Sequence, residues 1–310
     1  MSDAIHLPTL KQLRHLVALA DHRHFGHAAE ACSITQSSLS ASLRELETLL
    51  GRQIVERTKR SVIITPLGND IVSRARELLI GAQDIVDAVA AAAAPLNGPL
   101  RLGVLPTIGP YLLPRVLPLL RRDYPDLRLF LREDPTARLI DLLRRGELDA
   151  MVMAFPYDVG DLQTRRVAED SFWLAMPPGT DLDGQDSATI ASIDIERLML
   201  LQDGHCLRDH ALAALRLMRA PQDDAFQGSS LATLVQMVEN GLGLTLLPKM
   251  AIDAGILRGS RLQARPIAER AALREIGLAW RKTSARRAEF QILGDILAAE
   301  LATPVTPRRR

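Results

Sequence analysis

The chain has 310 residues, 47% hydrophobic and 24% charged, enough for a small domain plus a larger α/β domain and too apolar to be disordered outside its ends. Lys and Arg number 38 against 37 Asp and Glu, which excludes a bulk polycation and confines any nucleic-acid footprint to a local patch. The two cysteines, Cys32 and Cys206, exclude a disulfide scaffold and a Cys-x-x-Cys metal pair, so neither a metal site nor a cofactor is expected.

Met1-Ser2-Asp3 opens the chain without an apolar signal core, and no run of about 18 uncharged apolar residues follows, so a cytoplasmic protein with no membrane partner is expected. Leu10, Leu13, Val17 and Ala20 share one helical face, and Phe25, Ala28, Ala29 and Cys32 a second, predicting two short packed helices with Cys32 in the core. Thr35 can cap a third helix whose stripe is Leu39, Leu43, Leu46 and Leu50 and which Gly51 stops. Residues 54–64 read as two strands around the charged turn Arg57-Thr58-Lys59-Arg60, a wing.

Thr65-Pro66 opens a long helix reaching the Ala-rich stretch before Pro95. Ile71, Leu78 and Ile85 alternate with Ala75, Ala82 and Val89 at a and d spacing, a narrow stripe that favours helix–helix dimerisation over packing on its own domain. Asn97-Gly98-Pro99 ends that segment. Strand and helix patterns then alternate: strands at 100–105, 127–131, 150–155, 198–201 and 244–247, and helices at 110–123, 137–145, 208–219 and 231–240. This predicts parallel sheet wound with helices in two Rossmann-like subdomains, with ligands expected in the cleft between them.

On the third helix the face opposite the leucines presents Ser37, Ala41 and Arg44, with Gln36 and Ser40 at its edges. Gln can bond adenine bidentately, Arg guanine, and Ser either bases or phosphates, while Arg57, Lys59 and Arg60 of the wing suit phosphate or a minor groove. A merely solvated helix face is the competing reading, and the preceding helix and the wing tip the balance toward DNA. Farther on, Asp203-Gly204-His205-Cys206-Leu207-Arg208-Asp209 follows an apolar strand and opens a helix. That places Cys206 at the positive end of a helix dipole, beside Arg208 and near two imidazoles, all of which favour thiolate. A small packed hydrophobe is the alternative.

His24-Phe25-Gly26-His27-Ala28-Ala29, Thr35-Gln36-Ser37-Ser38-Leu39-Ser40, Leu43-Arg44-Glu45-Leu46-Glu47, Leu50-Gly51, Glu56-Arg57 and Thr65-Pro66-Leu67-Gly68 together resemble the signature of the LysR-type transcription regulators. The resemblance runs through essentially the whole chain. It implies a winged helix-turn-helix at 1–65, a dimerisation helix at 66–96 and a periplasmic-binding-protein-like effector domain at 97–302, with a disordered basic tail at 303–310. Within the effector domain, one subdomain is expected near 97–168 and 270–302, the other near 169–269. Operator duplex DNA and self-association as a dimer, or a tetramer made of two dimers, are implied partners, with RNA polymerase a further one.

Gly103-Val104-Leu105-Pro106-Thr107-Ile108-Gly109-Pro110-Tyr111-Leu112-Leu113-Pro114, the stretch Leu201-Gln202-Asp203-Gly204-His205-Cys206-Leu207-Arg208-Asp209, and Gly243-Leu244-Thr245-Leu246-Leu247-Pro248 are most similar to the hydrogen peroxide sensors of that family. This implies that peroxide is the signal and Cys206 the reactive cysteine, set among His205, Arg208 and Asp209. It further implies that Thr107 and Thr136 hold peroxide or a water and that Arg274 stabilises the thiolate. Ordinary capping is the alternative for Thr136. The family's resolving cysteine falls where this chain has Leu215, nine residues after Cys206, so the usual intramolecular disulfide is not available. A one-cysteine switch follows, with a small thiol such as glutathione as the reducing partner. Two readings compete with it: a regulator whose effector is a small metabolite or anion, and a thiol peroxidase, which would have no use for the DNA-binding segment.

Overall fold

A computed structural model of the protein describes residues 7–57, 62–180, 185–218, 228 and 230–303. The chain divides into two compact units, Met1–Val89 and Ala90–Arg310. Among the described residues no helix is long and apolar enough to cross a membrane.

The first unit holds α1 (Leu10–His22), α2 (Phe25–Ala31) and α3 (Gln36–Leu50), the strands β1 (Val55–Arg57) and β2 (Val62–Ile64), and α4 (Pro66–Ala93) as far as Val89. Each short helix begins on a side-chain cap that satisfies otherwise orphaned amides. Thr9 and Gln12 form a capping box on α1, the His24 imidazole accepts from the Gly26 and His27 amides on α2, and Thr35 accepts from Ser38 on α3. Gly51, at φ 64°, ends α3 in the left-handed conformation. Leu16, Leu19, Ala28, Ala29, Leu39, Leu43 and Leu46 close the core, and Cys32 is buried beside them.

The apolar face of α1 is wider than the expected one, on which Leu13 is buried and Val17 and Ala20 pack on the core. Leu13, His15, Leu16 and Leu19 are the buried positions, while Leu10 is exposed. The difference arises because His15 turns inward to bond Ser42 of α3, Nδ1 to Oγ at 2.8 Å, instead of serving as a surface residue. The wing is the antiparallel pair β1–β2, with Val55 opposite Ile64. Glu47 of α3 fixes its base by accepting from the amides of Ile54 and Val55 at 3.0 and 3.1 Å. At Gly68 any Cβ would meet the Ile54 carbonyl oxygen at 2.3 Å, so the first turn of α4 can lie on the wing only with glycine there.

The stripe on α4 is divided between buried and exposed positions. Ala75 is buried in its own unit, and Ile71, half-buried, packs on that unit's core. Leu78, Ile85, Val86 and Val89 are exposed.

The second unit runs β3 (Gly98–Val104), α5 (Gly109–Asp123), β4 (Leu127–Glu133), α6 (Thr136–Arg144), β5 (Ala150–Phe155) and β6 (Gln163–Met176). It continues through β7 (Leu198–Met199), α7 (Cys206–Ala214), α8 (Leu231–Glu239), β8 (Leu244–Pro248), α9 (Lys249–Asp253), β9 (Gln263–Pro266), β10 (Leu273–Trp280) and α10 (Arg287–Ala302). Strand order is β4-β3-β5-β10-β6-β8-β7, with β9 also paired to β6. The sheet is mixed, not parallel throughout as expected. β3 runs parallel to β4 and β5, and β7 to β8, but β10 is antiparallel to β5 and β6, and β6 to β8 and β9. The chain leaves the first half of this unit along β6 and returns along β10, so the two crossing strands must oppose each other.

Each half has its own core. One gathers Leu100, Val104, Leu112, Leu139, Val152 and Phe290; the other gathers Phe172, Leu174, Leu198, Leu212, Leu234 and Leu246. Two residues break the division: Cys206 and Met250 belong by chain position to the second half, yet their side chains are buried in the first half's core.

Candidate functional site

The seam between the two halves of the second unit is built around α7. Gly204, at φ 90°, turns the chain after Leu201, and extended His205 then starts the helix, so Cys206 is its first residue. The helix starts two residues earlier than its sequence pattern implies and ends at Ala214; Arg219 lies outside the described residues. From α7, Leu207 and Ala211 pack into the second core while Cys206 enters the first.

That placement decides the thiol's chemistry. Burial pushes the Cys206 thiol above its ordinary value, against smaller favourable effects from Thr136, Arg274 and the backbone at the helix start, and Asp209 opposes the thiolate further. The expected thiolate preference is therefore overturned in this conformation, because desolvation outweighs the helix end. Neither neighbouring imidazole supplies a cation: burial lowers His205 and His210 below the usual histidine value. Arg208 is turned away, with Nε 2.8 Å from Asp203 Oδ1. Asp209 is exposed.

Arg274, on β10, is fully buried and committed to neighbours. It donates from Nε to Asp170 Oδ2, from Nη1 to Thr107 Oγ1 and from Nη2 to the Thr107 carbonyl, each at 3.0 Å. Asp170 of β6 also accepts the Met250 amide at 2.9 Å. One ion pair thereby joins the turn after β3, both crossing strands and the start of α9. β3 stops at Val104, and Thr107 lies in the turn before α5.

Thr136 is the first residue of α6 rather than its cap, so its hydroxyl is not spent on a helix amide. That hydroxyl lies close enough to favour the thiolate of Cys206, but among the described residues it completes no hydrogen bond of good geometry. His210, one turn after Cys206, donates from Nε2 to the Pro156 carbonyl at 2.8 Å, and its buried Nδ1 has no partner among those residues. Tyr157 lies near Cys206 and Asp209, and its phenol is raised first by burial and then by the negative charge these groups carry when ionised. Tyr111 packs against both cores and is pushed up to about 12 by burial, with Arg274 opposing.

The structure thus brings Cys206, Thr107, Thr136 and Arg274 together and directs Arg208 elsewhere. Sequence reading missed Asp170, Tyr157 and Tyr111, and counted His210 only as a nearby imidazole. Only His210 had a local signal, its i+4 spacing from Cys206 on one helix face. Leu215, the C-cap of α7, is buried in the second core. Nine residues of helix span about 13 Å, whereas bridged cysteines need Cα atoms within about 7 Å. A disulfide between positions 206 and 215 would require α7 to unwind.

In the first unit, Gln36, Ser37, Ala41 and Arg44 form an exposed strip on α3, and Ser40 is half-buried. Arg44 folds back to donate from Nε to the Ser40 carbonyl at 3.3 Å, and Ser37 shares its hydroxyl with Thr35 at 2.9 Å. Arg57 ends β1; Lys59 and Arg60 lie outside the described residues.

Known proteins match this arrangement along nearly the full chain. Residues 10–69 match the bacterial regulatory helix-turn-helix protein, lysR family, and residues 93–302 match the LysR substrate binding domain. The HTH-type transcriptional regulator EstR of Acinetobacter baylyi is 39% identical over 298 residues, covering 96% of this chain and 98% of that protein. A probable hydrogen peroxide-inducible genes activator of Streptomyces viridosporus is 39% identical over 291 residues, covering 94% and 93%. A full-length OxyR variant of Pseudomonas aeruginosa superposes with a TM-score of 0.80 at 34% identity, covering 98% of this chain and 100% of that one.

Proposed function

The chain belongs to the LysR family of DNA-binding transcription regulators and is OxyR-like within it, and from that premise we propose that it senses hydrogen peroxide through Cys206 and alters operator binding in response. The observation that carries this reading is the position of the thiol: at the start of α7, buried in the opposite half's core, beside the Thr136 hydroxyl, which has no other partner among the described residues, and the Arg274 charge. A hydroxylic oxidant placed there meets a donor and acceptor on Thr136 and a nucleophile on Cys206. The thiolate sulfur attacks one peroxide oxygen, the O–O bond breaks, and hydroxide leaves and takes a proton to become water.

Oxidation at this point is mechanically consequential. A sulfenic oxygen adds volume and polarity to a side chain packed in an apolar core, and cores tolerate neither cheaply. The halves joined at the seam must adjust, which gives α7 a reason to move. With Leu215 in place of a second thiol, the sulfenic acid persists until a small thiol such as glutathione converts it to a mixed disulfide with loss of water. Gln36, Ser37, Ser40 and Arg44 read bases or phosphates, and Arg57, Lys59 and Arg60 hold backbone phosphate. Exposed Leu78 and Ile85 pair copies through α4, and RNA polymerase is the further partner of a DNA-bound regulator.

The raised thiol and the absence of a second sensor-domain cysteine favour one alternative, a small metabolite or anion acting as effector with Cys206 serving only as packing. Intact-mass analysis after stoichiometric peroxide separates the two. One added oxygen per chain, mapped to Cys206 and removed by glutathione, supports sensing. An unmodified chain whose operator affinity responds to a metabolite supports the alternative.

A further inference from the structure

Buried thiols react slowly because the nucleophile is the thiolate, and burial here disfavours it. A group able to take the proton at the moment of attack would remove that obstacle. We propose that His210 is that group: a neutral imidazole on the face of α7 that carries Cys206, accepting the thiol proton as a hydroxylic oxidant bridges the two side chains. This inference rests on the peroxide reading and names a proton acceptor for the same reaction.

Four observations converge on it. Positions 206 and 210 are one turn apart, with Cβ atoms about 5–6 Å from each other, and helical side chains lean back over the preceding turn, which brings the His210 ring toward Cys206. The Pro156 carbonyl, 2.8 Å from Nε2, can only accept, so it fixes the proton on Nε2 and leaves Nδ1 as the basic nitrogen. Nδ1 and the Thr136 hydroxyl are both buried and unpartnered among the described residues, on residues 4% and 1% exposed. Thr136 lies at the thiol and His210 one helical turn from it, and a free acceptor with a hydroxyl complements a molecule that carries both O–H donors and lone pairs. Finally, burial and the charge of Arg274 keep His210 neutral near pH 7, opposed by the Pro156 carbonyl and Asp209. The charges that act on it are those of Arg274, which is paired to Asp170, and of Asp209; Cys206 lies one turn away on α7, and Tyr157, after β5, lies near Cys206 and Asp209.

The step balances without a further reagent. Nδ1 takes the proton as sulfur attacks the near oxygen of H2O2; sulfur loses two electrons, the O–O bond gains them and breaks, and the departing hydroxide recovers the proton from Nδ1. Thiol and peroxide become sulfenic acid and water, and His210 is neutral again.

The test is the rate of Cys206 oxidation by peroxide against pH in the full-length protein, in His210→Gln and in His210→Asn, followed by intact mass. Both amides retain an N–H for Pro156 but lack a basic nitrogen. At pH 7 each should oxidise about 10²-fold or more slowly than the parent, the low end of general-base effects. The parent rate should fall below pH 6.5 as His210 protonates, an inflection the variants lose. As the pH rises through the raised value of the Cys206 thiol the variants should approach the parent, because the thiolate then forms without help, and that recovery shows that they are folded. A parent that oxidises while both variants match its rate and pH profile overturns the His210 role and leaves peroxide sensing standing. A parent whose Cys206 stays unoxidised overturns both.

Discussion

The α3 face and the α7 seam are both small groups of polar residues set against leucine-rich cores, yet they were built in opposite ways. On α3 the candidate DNA residues are neighbours in sequence, exposed, and arranged by helical period alone. At the seam, Arg274 meets Thr107 across 167 positions of chain and Asp170 across 104, and every one of these groups is buried. Local pattern is enough to specify an exposed polar strip on one helix. The buried cluster at the seam is assembled from distant segments, where burial shifts the ionisation of Cys206, His205 and His210.

The largest expected effect tests whether the seam depends on its ion pair. Arg274→Ala leaves Asp170 buried and uncompensated, so the effector unit should lose about 3–5 kcal/mol by denaturant titration. A loss under about 1 kcal/mol would mean that the seam is held mainly by apolar packing. On the other side of the comparison, Leu78→Lys puts a charge on the exposed stripe of α4 and should shift the protein toward monomer in sedimentation, with Ile71→Ala acting instead on folding stability because Ile71 packs on its own core. Gln36→Ala should cost about 1–3 kcal/mol of discrimination between operator and random duplex while leaving effector-unit stability unchanged.

How much of each region was legible follows from the same contrast. The caps at Thr35 and Gly51, the leucines of α3 and the wing were readable because each is set by its immediate neighbours. Cys206 was found by its position at a helix start, but its ionisation was misread, since nothing local reveals that its side chain enters the other half's core. Asp170 was invisible for the same reason: its partners lie on β10 and α9. The parallel sheet was expected from strand–helix alternation, which cannot show that β6 and β10 are the outward and return crossings. His15 was missed as a core group because histidine on an α1 face reads as surface until Ser42 is seen opposite it.

The smallest effects lie in the pH dependence of stability. Cys206 has a folded value above its ordinary 9.0, so its contribution is full below that pH and is lost as pH rises toward the folded value. Cys206→Ser should flatten the alkaline limb of stability. His205 and His210 in the seam, and His15 beneath α3, are held below 6.5, so their contributions are full above 6.5 and decline as pH falls toward the folded values. His15→Phe should flatten the acid limb of the DNA-binding unit without changing that of the effector unit; an equal change in both would mean that the two regions do not unfold independently.

The central claim is that one buried thiol couples peroxide to DNA. The direct measurement is operator affinity of the parent and of Cys206→Ser before peroxide, after it, and after added glutathione. The account predicts that the parent's affinity changes with oxidation and returns with the thiol, in step with one oxygen gained and lost at Cys206, while the serine variant stays constant throughout. A serine variant that responds like the parent, or an oxidised parent whose affinity does not move, would contradict it.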